Sequence, residues 1–243
     1  SQSMTGNEQS GTPSLRFSIL HDSDTDIGRM MLRRRWSLAL ERDVFEMTMD
    51  GKLMMSDAVV ISERALAERA LARLPDRNLR VLIGGLGFGF TARATLADAR
   101  VCNLTVVERL AAVIEWHRAG ILPWSEGFIT DPRLNVAEGD FFELVAGNTG
   151  TRYDAILIDI DDSPNLLWHS AHAVFYNSTG LEAIRKHLQP GGVFGLWCAT
   201  HPGDAFMAMM ENTFDWTELA AVHFENPCLR QQETNYILLA TVH

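Results

Sequence analysis

The chain has little with which to cross-link itself, bind nucleic acid or enter a bilayer. Cysteine occurs three times, at 102, 198 and 228, with no C-x-x-C pair. Thiols so few and so far apart exclude a disulfide framework and a zinc ribbon, and they read as reduced and buried. Lysine and arginine number 21 against 31 acids, a net charge of −10. The clustered positive charge that phosphate backbones require is therefore missing, and no nucleic-acid partner is expected. Arg33-Arg34-Arg35 is the only basic run; it lies in strand-like surroundings and reads as a solvated edge. No apolar stretch approaches the about 20 residues that cross a bilayer, and no signal peptide stands before the first hydrophobic segment. These absences set the expectation of a cytoplasmic protein without a membrane partner. The polar residues 1–14 are expected to form a disordered tail.

What is present is enough for a large core: 243 residues, 47% of them hydrophobic, which allows one domain with a small annex. Leu15–Leu20, Ile27–Trp36, Val44–Met49 and Lys52–Met55 alternate like strands, and Asp50-Gly51 is a hairpin signal. Ser62–Leu74 reads as a helix with Ser62 as a candidate N-cap and Pro75 just past its end. Residues 15–75 are thus expected to form an antiparallel β annex with a linking helix. From 76 to 243 strands and helices alternate: Val81–Gly85, Thr91–Ala97, Leu104–Glu108, Ala111–Arg118, Leu134–Ala137, a helix from Phe141, Ala155–Ile160, Thr179–Leu188 and Val193–Cys198. Such alternation means an α/β fold with a mostly parallel sheet covered on both faces. Pro190-Gly191-Gly192 reads as a turn into the fifth strand, and the last segments permit a helix and a strand pair closing the sheet antiparallel.

The strand Val81–Gly85 runs straight into a turn with glycines at 85, 87 and 89. Glycine lets backbone pass close to a ligand, and the helix that follows offers unpaired N–H groups to it. Glu108 ends the next strand about 20 residues on, where an acid can accept hydrogen bonds from both hydroxyls of a ribose. Alone it could equally be a solvated strand end. Asp140 closes Arg133-Leu-Asn-Val-Ala-Glu-Gly-Asp140 and could accept a hydrogen bond from an adenine amino group, or cap the helix that starts at Phe141, or do both. A dinucleotide fingerprint of the G-x-G-x-x-G/A kind is not completed by Gly85, Gly87 and Phe90.

Chemistry concentrates after the fourth strand, in Tyr153-Asp-Ala-Ile-Leu-Ile-Asp159-Ile-Asp161-Asp162-Ser-Pro164. Three carboxylates in four residues repel one another, so the group suits abstraction of a proton from an amine or capture of a positive one. His169 and His172 follow at i, i+3 and leave a metal site open as a competing reading. A capped polar loop, with Asp162 starting a helix at Pro164, is a third.

Gly84-Gly-Leu-Gly-Phe-Gly89, Val106-Val-Glu108, Asp131-Pro-Arg-Leu-Asn-Val-Ala-Glu-Gly-Asp140, Tyr153 to Asp159, Phe175-Tyr176 and Leu188-Gln-Pro-Gly-Gly192 resemble, in order and spacing, the polyamine aminopropyltransferases of the spermidine synthase family. The resemblance covers roughly residues 40 to 200. It implies a methyltransferase-like sheet with an N-terminal β annex and a donor site for an adenosyl-sulfonium compound. Gly85, Gly87 and Gly89 would cradle the donor, Glu108 would meet its ribose, and Asp140 with Phe141 its adenine. Asp159 and Asp162 match the family's two active-site acids, one of them the base toward the attacking amine, and Asp159 also faces the donor. Asp161, Trp168, His169 and Tyr176 are candidates for the acceptor side, and no metal is expected.

Two departures bear on the reaction. The family's glycine turn carries an aspartate that pairs with the ammonium of decarboxylated adenosylmethionine, and this chain has Gly87 there. Its Tyr-His-Glu-Met stretch, which lines the amine site, is matched here by Ser62-Glu-Arg-Ala65. Without the aspartate, intact S-adenosylmethionine becomes admissible, which favours methyl transfer to a small amine. Aminopropyl transfer from decarboxylated S-adenosylmethionine is the alternative, and a non-catalytic nucleoside-binding protein is a reading from another class. Base methylation is disfavoured by the charge and by the lack of an Asn-Pro-Pro-Tyr or Asp-Pro-Pro-Tyr motif. Edge strands of the annex could pair two copies into a homodimer.

Overall fold

The computed structural model describes residues 16–160, 167 and 170–243. They form two bodies, one comprising the chain up to Ala58 with Pro227–Arg230, the other Val59–Asn226 with Gln231–His243. In the first body β1 (Phe17–Thr25), β2 (Gly28–Ser37), β3 (Arg42–Met49) and β4 (Lys52–Ser56) make one antiparallel sheet in chain order. Asp50 and Gly51 both adopt positive φ, 50° and 79°, and join Met49 to Lys52 in the two-residue turn that a twisted hairpin favours. The triple-arginine run is not a solvated edge, because β2 is paired on both sides. Arg33 and Arg35 reach across to Glu46 on β3, their Nε atoms 3.1 and 2.7 Å from its Oε1, and Glu46 is buried. Two guanidinium groups on one carboxylate satisfy an acid that could not otherwise be taken from water.

The second body carries α1 (Ile61–Leu71), β5 (Leu79–Gly84), α2 (Phe90–Leu96), β6 (Val101–Glu108), α3 (Ala111–Arg118), β7 (Leu134–Glu138), α4 (Phe141–Ala146), β8 (Tyr153–Ile158), α5 (Ser178–Lys186), β9 (Leu188–Cys198), α6 (Asp204–Thr213), β10 (Trp216–Asn226) and β11 (Gln231–Thr241). Its sheet runs in the order β10-β11-β9-β8-β5-β6-β7, parallel except for β11, which is antiparallel to β9 and β10. Leu82, Ile83, Ile156 and Leu157 are fully buried, because successive residues of a central strand serve opposite apolar layers. Leu66, Ile83 and Leu157 belong to one layer, and Leu82, Ile156 and Phe194 to the other.

The helix read as part of the annex packs on this sheet instead. Leu66, Ala67 and Ala70 of α1 are wholly buried, against α2, β9 and β11 among other elements, so the boundary expected near 75 lies at 58/59. Ser62 is not the N-cap: that position is Val60, and the Ser62 hydroxyl donates to Asn235 Oδ1 at 2.8 Å and accepts from Trp197 Nε1 at 2.9 Å. β9 begins five residues earlier than the Pro190-Gly191-Gly192 turn suggested, because Leu188 already pairs with Tyr153 before the register shifts. No helix among the described residues is long and apolar enough to cross a membrane.

Candidate functional site

In an open α/β sheet the ligand crevice lies beyond the carboxyl ends of the strands where their order reverses. Here that point falls between β5 and β8, since the chain proceeds outward from β5 through β6 to β7 and then returns to the other side with β8. The glycine turn leaves β5 there. Gly85, Gly87 and Gly89 have φ of 93°, 50° and 84°, the left-handed region that side chains disfavour. A Cβ added to Gly85 would lie 2.5 Å from the carbonyl oxygen of Asp159, so this glycine lets the turn rest directly on the backbone at the end of β8. The Asp159 N–H in turn donates to the Gly84 carbonyl at 3.1 Å. The glycine turn and the end of β8 are thereby one contact apart.

Glu108 holds this turn in shape. Its Oε1 accepts from the N–H groups of Leu86 and Gly87, both at 3.1 Å, and its Oε2 from Leu110 N–H at 3.0 Å. Burial pushes the carboxyl above the usual range while the backbone N–H groups draw it down, and burial prevails. A carboxylate offers about four acceptor sites, so a ribose hydroxyl would share Glu108 with the turn rather than have it alone. The acid expected at the ribose is thus also the clamp of the glycine turn.

A second support comes from a group the sequence did not single out. His117, on α3, is buried; its Nε2 lies 2.7 Å from the Gly87 carbonyl and its Nδ1 2.6 Å from Ser125 Oγ. Desolvation lowers its proton affinity, so the neutral ring donates from Nε2 to Gly87 and accepts from the Ser125 hydroxyl. Trp124 Nε1 donates to the Phe88 carbonyl at 2.6 Å, and its ring stacks on Phe90 at 5.1 Å. Phe128 fills the space that a Cβ at Gly89 would need. With Glu108 on its N–H groups and His117 and Trp124 on its carbonyls, the turn is fixed from both sides.

Asp140 is an N-cap, its Oδ1 accepting from Phe142 N–H at 2.9 Å and from Glu143 N–H at 3.3 Å. The sequence allowed this cap alongside an adenine contact, and the second oxygen carries neither of these two bonds. Phe141 is buried, with its ring against Gly84, where a Cβ would come within 2.7 Å of it. Its side chain therefore packs beneath the strand end, and only its backbone could meet an adenine. Tyr176 is also buried, edge-on to Phe175 and Phe206 at 5.2 and 6.0 Å, and His172 lies 4.5 Å from the Phe142 ring. Both form part of the aromatic layer beside α4. Asp161, Asp162, Trp168 and His169 lie outside the described residues. Among the described residues no cluster of histidine, cysteine and acids could hold a metal ion.

Asp159 continues the alternation of β8, in step with Leu157, whose side chain belongs to the layer under α1. Its charge, after burial, helps push the nearby Cys198 thiol up to about 12. Glu63, which the sequence presents only as part of the Ser62-Glu-Arg-Ala65 departure, stands at the start of α1. Glu63, half-buried, is in step with the buried Ala67 and Ala70 of α1 at i, i+4 and i+7. The Glu63 carbonyl accepts from the Thr91 hydroxyl of α2 at 3.4 Å. Its carboxylate lies 3.4 Å from the Ser62 hydroxyl, which the Trp197 bond ties to the carboxyl end of β9. Burial raises the Glu63 carboxyl to about 7. No lysine or arginine pairs with it among the described residues, whereas its neighbour Arg64 pairs with Glu68.

No protein-family model matches the chain. The chain is 28% identical over 175 residues to polyamine aminopropyltransferase 1 of Pseudomonas aeruginosa, covering 69% of this chain and 58% of that one. It is 28% identical over 145 residues to polyamine aminopropyltransferase of Sulfolobus acidocaldarius, covering 59% and 46%. The chain thus spans about half the length of the curated relatives it matches. Among solved structures, spermidine synthase from Thermotoga maritima superposes with a TM-score of 0.73 at 22% identity, covering 93% of this chain and 73% of that one. Human methyltransferase-like protein 13, in complex with SAH, gives 0.54 at 24%, covering 76% and 80%. At these identities the structural likeness speaks for the fold.

Proposed function

Because this chain is spermidine synthase-like in sequence and has a methyltransferase-like fold, we propose that it is a group transferase that moves the aminopropyl group of decarboxylated S-adenosylmethionine to a small amine. The observation that carries the reading is the contact of Gly85 with the Asp159 carbonyl, which sets the glycine turn against the end of β8 at the switch point of the sheet. The names of the relatives favour aminopropyl transfer over the methyl transfer that Gly87 suggested. The physical objection to aminopropyl transfer also weakens, because Glu63, whose backbone carbonyl meets Thr91 just past the turn, brings an acid to a region where the turn has none of its own.

In this reaction the acceptor amine attacks the aminopropyl carbon bound to sulfur, the C–S bond breaks toward sulfur, and neutral methylthioadenosine leaves. The sulfonium is already an activated leaving group. The protein has to align the two partners, keep out water and accept the proton lost by the amine. Glu108 and the clamped turn orient the adenosyl end, and Asp140 stands where an adenine edge could be read. Asp159 and Asp162 divide the positive charge of donor and acceptor between them, with Asp162 on the acceptor side as the base.

The products test this. Incubation of the chain with each donor and a panel of diamines and polyamines, followed by mass spectrometry, is expected to give methylthioadenosine and an acceptor enlarged by one aminopropyl group. Adenosylhomocysteine with a methylated acceptor would restore the methyl-transfer reading; nucleoside binding without either product would leave a binding protein.

A further inference from the structure

We propose that Glu63 selects the donor: its carboxylate receives the ammonium of the decarboxylated compound and excludes the carboxylate of intact S-adenosylmethionine. This rests on the group-transfer reading above. The placement comes from three contacts. Ser62, adjacent in the chain, is fastened through its hydroxyl to Trp197 near the carboxyl end of β9 and to Asn235 on β11, which fixes the start of α1 at the ligand end of the sheet. The Thr91 hydroxyl fastens the Glu63 carbonyl to the first turn of α2, two residues beyond Gly89. In step with the buried Ala67 and Ala70, Glu63 is itself half-buried on the face of α1 that packs on the sheet.

Among the described residues no lysine or arginine pairs with the acid in that position. The buried Glu46 and Asp154 and the half-buried Asp57 each have arginine partners, Arg33 and Arg35 for the first, Arg77 for the second and Arg42 for the third. Among the described residues the Glu63 carboxylate has its own backbone N–H and the neighbouring Ser62 hydroxyl as hydrogen-bond partners, and burial raises its carboxyl to about 7. A folded chain that penalises the bare carboxylate in this way recovers the penalty when a cation is placed against it. The decarboxylated donor presents one ammonium at the end of a short chain beyond the sulfonium, while the intact donor presents an ammonium and a carboxylate together. An unpaired acid in the site discriminates between them twice, by attraction of the first and by repulsion of the second. Gly87 leaves the turn itself without a charge, so the distinction falls to Glu63 at the start of α1.

The test compares three ligands on wild type and Glu63→Gln by calorimetric titration: methylthioadenosine, decarboxylated S-adenosylmethionine and intact S-adenosylmethionine. Loss of one charge-assisted contact should weaken the decarboxylated donor about 10- to 100-fold. Methylthioadenosine, which has no ammonium, should change less than about threefold, and the preference for the decarboxylated over the intact donor should shrink. Glu63→Asp, which keeps the charge on a shorter arm, should retain part of the preference. Equal weakening of all three ligands, or an unchanged preference in Glu63→Gln, would overturn the assignment while leaving the transferase reading in place. Failure of the wild type to bind any of the three would overturn both.

Discussion

Glu108→Ala should cost about 3–5 kcal/mol of folding stability and remove measurable binding of adenosyl ligands. The size follows from what the carboxylate does for the protein's own backbone. It is the acceptor for Leu86, Gly87 and Leu110 N–H groups in a buried position, and alanine would orphan all three. Each buried donor left without a partner costs about 1–3 kcal/mol, partly relieved if water enters. The effect on binding is larger than the loss of one ribose contact, because Gly85 to Gly89 would relax into other conformations open to glycine. Glu108→Gln separates the two roles. Its amide oxygen can still serve the Leu86 and Gly87 N–H groups, but its NH2 would face the Leu110 N–H. Chemical denaturation should therefore place Gln between wild type and Ala, and nucleoside titration should show Gln weakened by about 10- to 100-fold. A variant Ala that folds and binds as well as wild type would show that the turn stands without its clamp.

The second large effect is expected at Gly85. Gly85→Ala asks a side chain to adopt φ of 93° and puts its Cβ 2.5 Å from the Asp159 carbonyl oxygen and 3.1 Å from Ile160 Cγ1. Left-handed backbone strain alone costs about 1–3 kcal/mol, and the contact with backbone cannot be relieved by rotating a side chain. The end of β8 has to move away from the turn, taking Asp159 with it. Turnover should fall by at least about 100-fold, the scale on which small misplacements of reacting groups act. Gly150→Ala is the control: φ is 69° there, but a Cβ would meet nothing within 4 Å. It should lose comparable backbone stability and keep its turnover. Similar turnover for the two variants would remove the Gly85–Asp159 contact from the account.

The parts of this molecule that were readable in the sequence are those whose physics is local. Asp50-Gly51 specifies a tight turn by itself, and the apolar runs ending in Gly84 and Glu108 specify buried parallel strands wherever they occur. Glycine at 85, 87 and 89 announces unusual backbone before any neighbour is known. Residues whose role depends on a distant partner were misjudged. Arg33 and Arg35 look solvated until β3 brings Glu46 beside them. Ser62 looks like a cap until Trp197 and Asn235, more than a hundred residues away, take its hydroxyl. Glu63 and Glu68 are indistinguishable along the chain; only the packing of α1 on the sheet half-buries one and leaves the other paired with Arg64 at the surface. His117 carried no motif, and its function as a brace appears only once Gly87 and Ser125 lie on either side of its ring. The helical face of α1 did offer a signal that was passed over: an acid in step with Ala67 and Ala70 breaks the apolar stripe, and such a break calls for a reason.

The central claim is that the turn from Gly85 to Gly89, clamped by Glu108 against the end of β8, is an adenosyl site. Calorimetric titration with methylthioadenosine tests it without requiring any knowledge of the acceptor. The account predicts saturable binding at one nucleoside per chain, lost in Gly85→Ala and kept in Gly150→Ala. Absence of binding to the wild type, or binding that Gly85→Ala leaves unchanged, would contradict it.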